Sequence, residues 1–170
     1  GVARHFYSCT HTTFSPNVAE SDRRMKTNVI PDQIDINVDI RTLPGESTAE
    51  VQQHLDEALG DLSDQVEVEI IMNDPASISQ VDNPLWDTIQ KAVNQPFPTA
   101  RLSPQLIVGF TDARVYRNLG SVAYGAGLFS PDLKASDFMS RFHGHDERID
   151  VESLSLTTQF WLDVCHDFLG

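Results

Sequence analysis

The sequence is poor in cysteine, in positive charge and in long hydrophobic runs, and each shortage closes off a class of protein. Its 2 cysteines, Cys9 and Cys165, stand near opposite ends, without the close spacing of a zinc knuckle or the density of a secreted disulfide scaffold. A reduced, cytoplasmic setting is the default expectation for such usage. Only 12 lysines and arginines face 25 aspartates and glutamates, a formal charge of −13, so no basic stripe is available to neutralise phosphates. Nucleic acid and anionic membrane are therefore poor partners. No apolar run approaches the roughly 18 residues that read as a membrane span, and the first ten residues lack the apolar stretch of a signal peptide. Nucleophile-elbow, phosphate-loop and dinucleotide fingerprints are missing too: Gly125-Ala126-Gly127 runs into Leu128-Phe129-Ser130 with no third glycine. What is present is 170 residues with 40% hydrophobic content, enough chain for one medium domain or two small ones.

From Gln33 to Arg41 polar and apolar residues alternate without an error, the period-2 signature of a strand with one wet and one buried face. Leu43-Pro44-Gly45-Glu46 then turns, and Ser47 and Glu50 stand in capping-box register, a hydroxyl at the N-cap and a carboxylate three residues on. Val51, Leu55, Ala58, Leu59 and Leu62 share one helical stripe, and Val66, Val68 and Ile70 resume alternation. Residues 33–72 are thus predicted as strand–helix–strand, with the extended segment Thr12 to Ser21 able to hairpin onto the sheet. Asn73-Asp74-Pro75-Ala76 reads as a linker and puts a domain boundary near Asp74 to Val81. Asn83 as N-cap with Pro84 behind it opens a helix carrying Leu85, Trp86, Ile89 and Val93. Leu106-Ile107-Val108 and Val122-Ala123-Tyr124 read as short buried strands around a helix that Thr111 or Asp112 caps and Gly120 closes. In that βαβ reading the exits Gly109-Phe110-Thr111 and Gly125-Ala126-Gly127 share the strand edge where α/β sheets take ligands. A last helix from Val151, capped by Asp150, carries Leu154, Trp161, Val164 and Phe168 as its core stripe.

The densest chemistry lies in Phe142-His143-Gly144-His145-Asp146-Glu147-Arg148, two imidazoles and two carboxylates on the loop before the last helix. Neutral imidazole and carboxylate oxygen are zinc ligands, and the two histidines face opposite sides unless the chain turns at Gly144. One cluster of this size supplies too few ligands to hold a metal, so helix capping and local hydrogen bonding stay open as its role. Arg41 shares a strand face with Asp35, Asn37 and Asp39. It suits either an ion pair with those acids or, with the Asn28 amide, a bidentate grip on a carboxylate. Thr111, Asp112 and Arg114 are likewise either a helix cap or a donor cluster at the strand edge. His5, His11, His54 and His166 stand alone and read as solvated or locally bonded.

Three stretches taken together resemble one family: Thr27-Asn28-Val29-Ile30-Pro31 with Asp39-Ile40-Arg41-Thr42-Leu43-Pro44-Gly45, then Thr111-Asp112-Ala113-Arg114, then His143-Gly144-His145-Asp146-Glu147-Arg148. Their order and spacing are similar to those of the aminoacylase, carboxypeptidase G and succinyl-diaminopimelate desuccinylase family of two-zinc amidohydrolases. The resemblance implies an α/β fold in two parts. Residues 1–75 would be a partial ferredoxin-like α+β lid that dimerises, lacking its first strand and helix, and residues 76–170 the C-terminal half of an aminopeptidase-like catalytic domain. It also implies that His143 is a metal ligand, that His145 is not, that Asn28 and Arg41 hold the substrate carboxylate, and that Thr111, Asp112 and Arg114 line the cleft, with Gly127 counted among the substrate-binding positions. The catalytic glutamate and most ligands of the family's two zinc ions have no counterpart in this chain, so no catalytic residue is assigned and the zinc site is incomplete. The expectation is a portion of a zinc-dependent hydrolase acting on the amide bond of N-acyl amino acids or small peptides with a free carboxylate. Alone it would be inactive, and in the complete protein a homodimer would form through the lid. The alternative is a non-catalytic binding or dimerisation module on a ferredoxin-like sheet.

Overall fold

The computed structural model describes residues 6–21, 26–142 and 144–170. The chain is a mixed α and β structure that divides into two compact units, Gly1–Ile78 with Gln105–Arg114, and Ser79–Pro104 with Val115–Gly170.

In the first unit, strands β1 (Thr13–Glu20) and β2 (Asp35–Arg41) pair antiparallel, Thr13 opposite Arg41 and Glu20 opposite Asp35. The register slips between Pro16 and Val18. Proline cannot donate to a ladder, and a bulge is one of the few places a strand tolerates it. After β2, Pro44 and Gly45 take the central positions of a turn closed by Glu46 N–H on the Leu43 carbonyl. Gly45 sits at φ 95°, where a side chain would be strained and glycine is not. Helix α1 (Thr48–Leu59) follows with the predicted capping box: Glu50 N–H donates to Ser47 Oγ, and Ser47 N–H to Glu50 Oε2 at 2.7 Å. The Ser47 backbone N–H and then its hydroxyl, which donates to Glu50 Oε2 at 2.8 Å, lower the Glu50 pKa. Val51, Leu55 and Leu59 form its half-buried stripe. The helix is tied back to β1, since Thr12 Oγ1 donates to Glu46, His54 lies 3.4 Å from Glu46, and the His54 ring meets Phe14 edge-on.

Four strand expectations in this unit and the next are corrected. Ile34, Ile36 and Val38 of the alternating segment are exposed, so β2 has no buried face among the described residues. Residues 66–70, 106–108 and 122–124 belong to no sheet among the described residues. A strand persists only through its ladder, and a three-residue apolar run without a pairing neighbour has no such bonds to gain. At Ala123 side chains take the ladder's place: its N–H donates to Ser79 Oγ at 3.0 Å, and its carbonyl accepts from Arg117 Nε and Nη2 at 3.1 and 2.6 Å.

The second unit is built on helices α2 (Pro84–Asn94) and α5 (Val151–Leu169), with α4 (Ala135–Met139) ahead of α5. Between them in sequence, α3 (Ala113–Asn118) begins at the end of the first unit. Asn83 caps α2, its Oδ1 accepting from Trp86 N–H, with Pro84 in the first turn as predicted. Gly120 closes α3 at φ 86°. Its N–H bonds the Arg117 carbonyl, and Ser121 N–H bonds that of Tyr116, both 2.9 Å. This pair of bonds is the Schellman arrangement. The buried core is Ile89, Ala92 and Val93 of α2 against Phe160 and Val164 of α5. At the far end Thr88 Oγ1 and Lys91 Nζ both reach Asp167 Oδ2 at 3.1 Å, lowering its pKa, the lysine first.

The buried side of α5 differs from the predicted stripe. Val164 is buried, but Leu154, Trp161 and Phe168 are exposed, and Ser153 and Phe160 take the inner positions. Ser153 faces inward because hydrogen bonds await it there: its Oγ accepts from Ser130 N–H at 2.9 Å and donates to Asp150 Oδ2 at 2.8 Å. A hydropathy stripe misses a buried serine whose polar atoms are satisfied.

Asp150 caps α5 as predicted, accepting from Ser153 N–H at 2.8 Å. That bond, then the Ser153 hydroxyl, then the Arg141 guanidinium hold its carboxyl down at about 2, from an ordinary 3.8. A carboxylate with a depressed folded pKa stabilises the fold above its unfolded value and loses that contribution as pH falls through the folded one. Helix content and thermal midpoint of the wild type are therefore expected to fall more between pH 4 and pH 2 than those of Asp150→Asn, which keeps an N-cap oxygen that does not titrate. Circular dichroism across that window checks this, and parallel acid profiles would contradict it.

Candidate functional site

Period-2 geometry puts Asp39 and Arg41 on one face of β2, two residues apart. Arg41 Nε donates to Asp39 Oδ2 at 2.9 Å, and Nη2 lies 2.9 Å from the same oxygen. Arg41 Nη1 donates to the Val108 carbonyl. The ion-pair reading of Arg41 is thus realised on Asp39, while the guanidinium also meets the segment that leads to Thr111. Both side chains remain accessible to solvent, and such a pair contributes at most about 1 kcal/mol to stability.

Asn28 is exposed in the turn between the strands, next to the bond from Val29 N–H to the Lys26 carbonyl. Thr111 and Asp112 are exposed at the start of α3, where Arg114 N–H donates to the Thr111 carbonyl at 3.3 Å. Arg114 is more enclosed. Its guanidinium stacks 4.1 Å over the Phe110 ring, a cation–π contact, and Nε lies 3.3 Å from Asp74 Oδ1. That buried Nε has no partner of proper hydrogen-bond angle, so the Asp74 contact is an ion pair by distance alone. Asn28, Arg41, Thr111, Asp112 and Arg114 all fall within the first unit. The structure joins Arg41 to the 105–114 segment and leaves Asn28 on its turn. The linker residue Asp74 was not foreseen as the Arg114 partner, because nothing local in sequence links positions forty apart.

Gly127 and the histidine loop belong to the second unit. The expected shared edge of two strand exits is corrected, because among the described residues neither exit follows a strand. Gly127 packs on α5, where an added Cβ would sit 3.4 Å from Thr157 Oγ1. The same hydroxyl accepts from Leu128 N–H at 2.9 Å and donates to the Leu128 carbonyl at 2.6 Å. His143 lies outside the described residues. His145 is exposed, and Asp146 takes a left-handed backbone conformation at φ 61°. Arg141 and Asp150, bonded at 2.5 Å, close the base of this loop. Beside them is an open cavity of about 330 Å³ lined by Ser130, Asp132, Leu133, Asp137, Arg141, Asp150 and Glu152. Sequence reading missed this polar floor. Its signal, Ser130-Pro131-Asp132 at the end of an apolar run, looks like any turn.

Zinc or a similar ion needs several ligands at once. Among the described residues no group of three or more His, Cys, Asp or Glu side chains is arranged to hold a metal ion, so these residues do not by themselves fit a two-metal centre. Among them, too, no helix is long and apolar enough to cross a membrane.

In sequence, the motifs around Arg41, Thr111-Asp112-Ala113-Arg114 and His143-Gly144-His145-Asp146-Glu147-Arg148 resemble those of a hydrolase family. The comparison with known families agrees: residues 8–167 match the model of peptidase family M20/M25/M40. The chain belongs to that family. It is 28% identical over 138 residues to a probable carboxypeptidase S-like 2 of Dictyostelium discoideum, covering 80% of this chain and 26% of that one. It is 30% identical over 142 residues to the N-fatty-acyl-amino acid synthase/hydrolase PM20D1 of Xenopus tropicalis, covering 82% and 27%, and 27% identical over 139 residues to its Homo sapiens namesake, covering 80% and 27%. The chain thus spans about a quarter of the length of the curated relatives it matches. No solved structure matches it significantly.

Proposed function

We propose that this chain is the C-terminal portion of a zinc-dependent amidohydrolase or peptidase that cleaves the amide bond of N-acyl amino acids or small peptides carrying a free carboxylate. The observation that carries the reading is the family match over residues 8–167, and the hydrolase names of the relatives agree with it. Residues 1–75 are read as a partial ferredoxin-like lid that pairs two copies, and residues 76–170 as the latter half of an aminopeptidase-like catalytic domain. His143 is read as a metal ligand, and Asn28, Arg41, Thr111, Asp112, Arg114 and Gly127 as the substrate-binding set. Two zinc ions, when bound, supply a polarised carbonyl and a water acidic enough to attack it. This chain's own contribution is to hold the substrate carboxylate and one flank of the cleft.

Alone the chain is expected to be inactive, since no catalytic glutamate is assigned to it. The exposed Ile36, Val66, Val68, Ile70 and Ile107 are in keeping with a surface that further chain would cover. The test is zinc content and hydrolysis of an N-acyl amino acid, measured on the chain alone and on a full-length form that spans the length of its relatives. Metal and activity only in the second support the reading. Tight ligand binding without zinc in either would favour a non-catalytic module.

Arg41→Lys in the full-length form is expected to raise KM for free-carboxylate substrates by roughly tenfold, with kcat little altered, because a point charge cannot reproduce a planar fork. Steady-state kinetics with the acid and its carboxamide analogue decide it. An unchanged KM would leave Arg41 as an ion-pair residue only.

A further inference from the structure

We infer that Asp39 is a positioning residue for Arg41, fixing the direction in which the guanidinium meets a substrate carboxylate. The inference rests on the reading of Arg41 given above. A guanidinium has five N–H donors in one plane. On Arg41 the side-on edge is turned to Asp39, with Nε and Nη2 each 2.9 Å from Oδ2, and Nη1 is held by the Val108 carbonyl. All three nitrogens are therefore engaged, and the donors left over are the second N–H of each terminal nitrogen. A long, flexible side chain anchored at two places loses its rotamer freedom before the ligand arrives instead of on binding.

Geometry makes Asp39 suited to this. It is two residues before Arg41 on a paired strand, opposite Ser15, as Arg41 is opposite Thr13. The strand fixes both Cα positions, and period-2 alternation fixes the shared face. An exposed pair of this kind adds little to folding, so orientation is the consequence left to it. Asp39 also carries a charge of the same sign as the substrate group, so a positioning effect and a repulsion act in opposite directions. Two substitutions separate them. Asp39→Asn removes the charge and keeps an oxygen acceptor, whereas Asp39→Ala removes both.

In the full-length form, KM for an N-acyl amino acid is expected to rise about three- to tenfold in Asp39→Ala and to stay closer to wild type in Asp39→Asn, with kcat little changed in both. The carboxamide analogue should show no difference between the two variants. On the 170-residue chain itself, the Arg41 Nε–H resonance in a proton–nitrogen NMR spectrum should exchange faster with water in Asp39→Ala than in Asp39→Asn. Equal KM for the two variants, a KM below wild type in Asp39→Ala, or an equal rise on the carboxamide would overturn the inference. Arg41→Lys separates the two levels of the argument. If it leaves KM unchanged, the Arg41 reading fails and this inference with it. If it raises KM while the Asp39 variants do not differ, only the Asp39 inference fails.

Discussion

Phe160→Ala is expected to unfold the second unit near room temperature or leave it without a cooperative transition. Phe160 is 1% exposed and lies at the centre of the cluster formed with Ile89, Ala92, Val93 and Val164. Truncating a buried phenylalanine typically costs about 3–5 kcal/mol, the transfer loss plus an unfilled cavity. The second unit has roughly 80 residues, and domains of that size are stable by on the order of 4–12 kcal/mol. Only five hydrophobic side chains are buried in the described residues, so few neighbours can relax into the hole. Phe160→Leu keeps most of the volume and should cost less than about 1.5 kcal/mol. Thermal melts of the three proteins test the ranking. An Ala variant melting within a few degrees of wild type would mean that α2 and α5 are held together by something other than this cluster.

Local signals transferred from sequence to structure almost unchanged, and distant ones did not. Ser47 with Glu50, Asn83 with Pro84, Asp150 ahead of Val151 and Gly120 at a helix end each act within four residues, and each does in the structure what its spacing predicts. The hairpin from Thr12 to Arg41 was also legible, because two extended neighbouring segments suffice for it, whereas the register slip between Pro16 and Val18 had no reading in the sequence. The runs at 66–70, 106–108 and 122–124 read as strands from composition, yet strand formation depends on a partner that their own residues do not specify. On α5 the hydropathy stripe chose Leu154 and Trp161 over Ser153 and Phe160. The competing period through Ser153, Thr157, Phe160 and Val164 was hidden by two hydroxyl residues that bond to Ser130, Leu128 and Asp150.

For the candidate site the same distinction holds. That Arg41 would meet one of the acids on its own strand face could be read from spacing, and Asp39 is that acid. Its contact with the Val108 carbonyl and the approach of Asp74 to Arg114 bring together residues far apart in sequence, and no periodicity encodes those. The functional assignment of these residues rests on motif order across the chain and not on any one contact. That is why a histidine outside the described residues and an arginine seen in detail enter the same reading.

His143→Ala should have the largest effect on chemistry. In the full-length form it is expected to lose one of two bound zinc ions and to reduce kcat more than a hundredfold. Structural zinc sites bind with roughly 10–16 kcal/mol of apparent free energy. Shared over four ligands, that is about 3 kcal/mol each, or more than two powers of ten in affinity. A bound ion would supply electrostatic stabilisation to amide hydrolysis, so its loss is expected to appear in kcat more than in KM. His145→Ala is the control, because His145 is exposed just before the left-handed Asp146 and is assigned no ligand role. Elemental analysis and steady-state kinetics on both variants give the answer. Two zinc ions and wild-type kcat in His143→Ala would remove the metal from this loop, and the cluster would revert to a polar connection in front of α5.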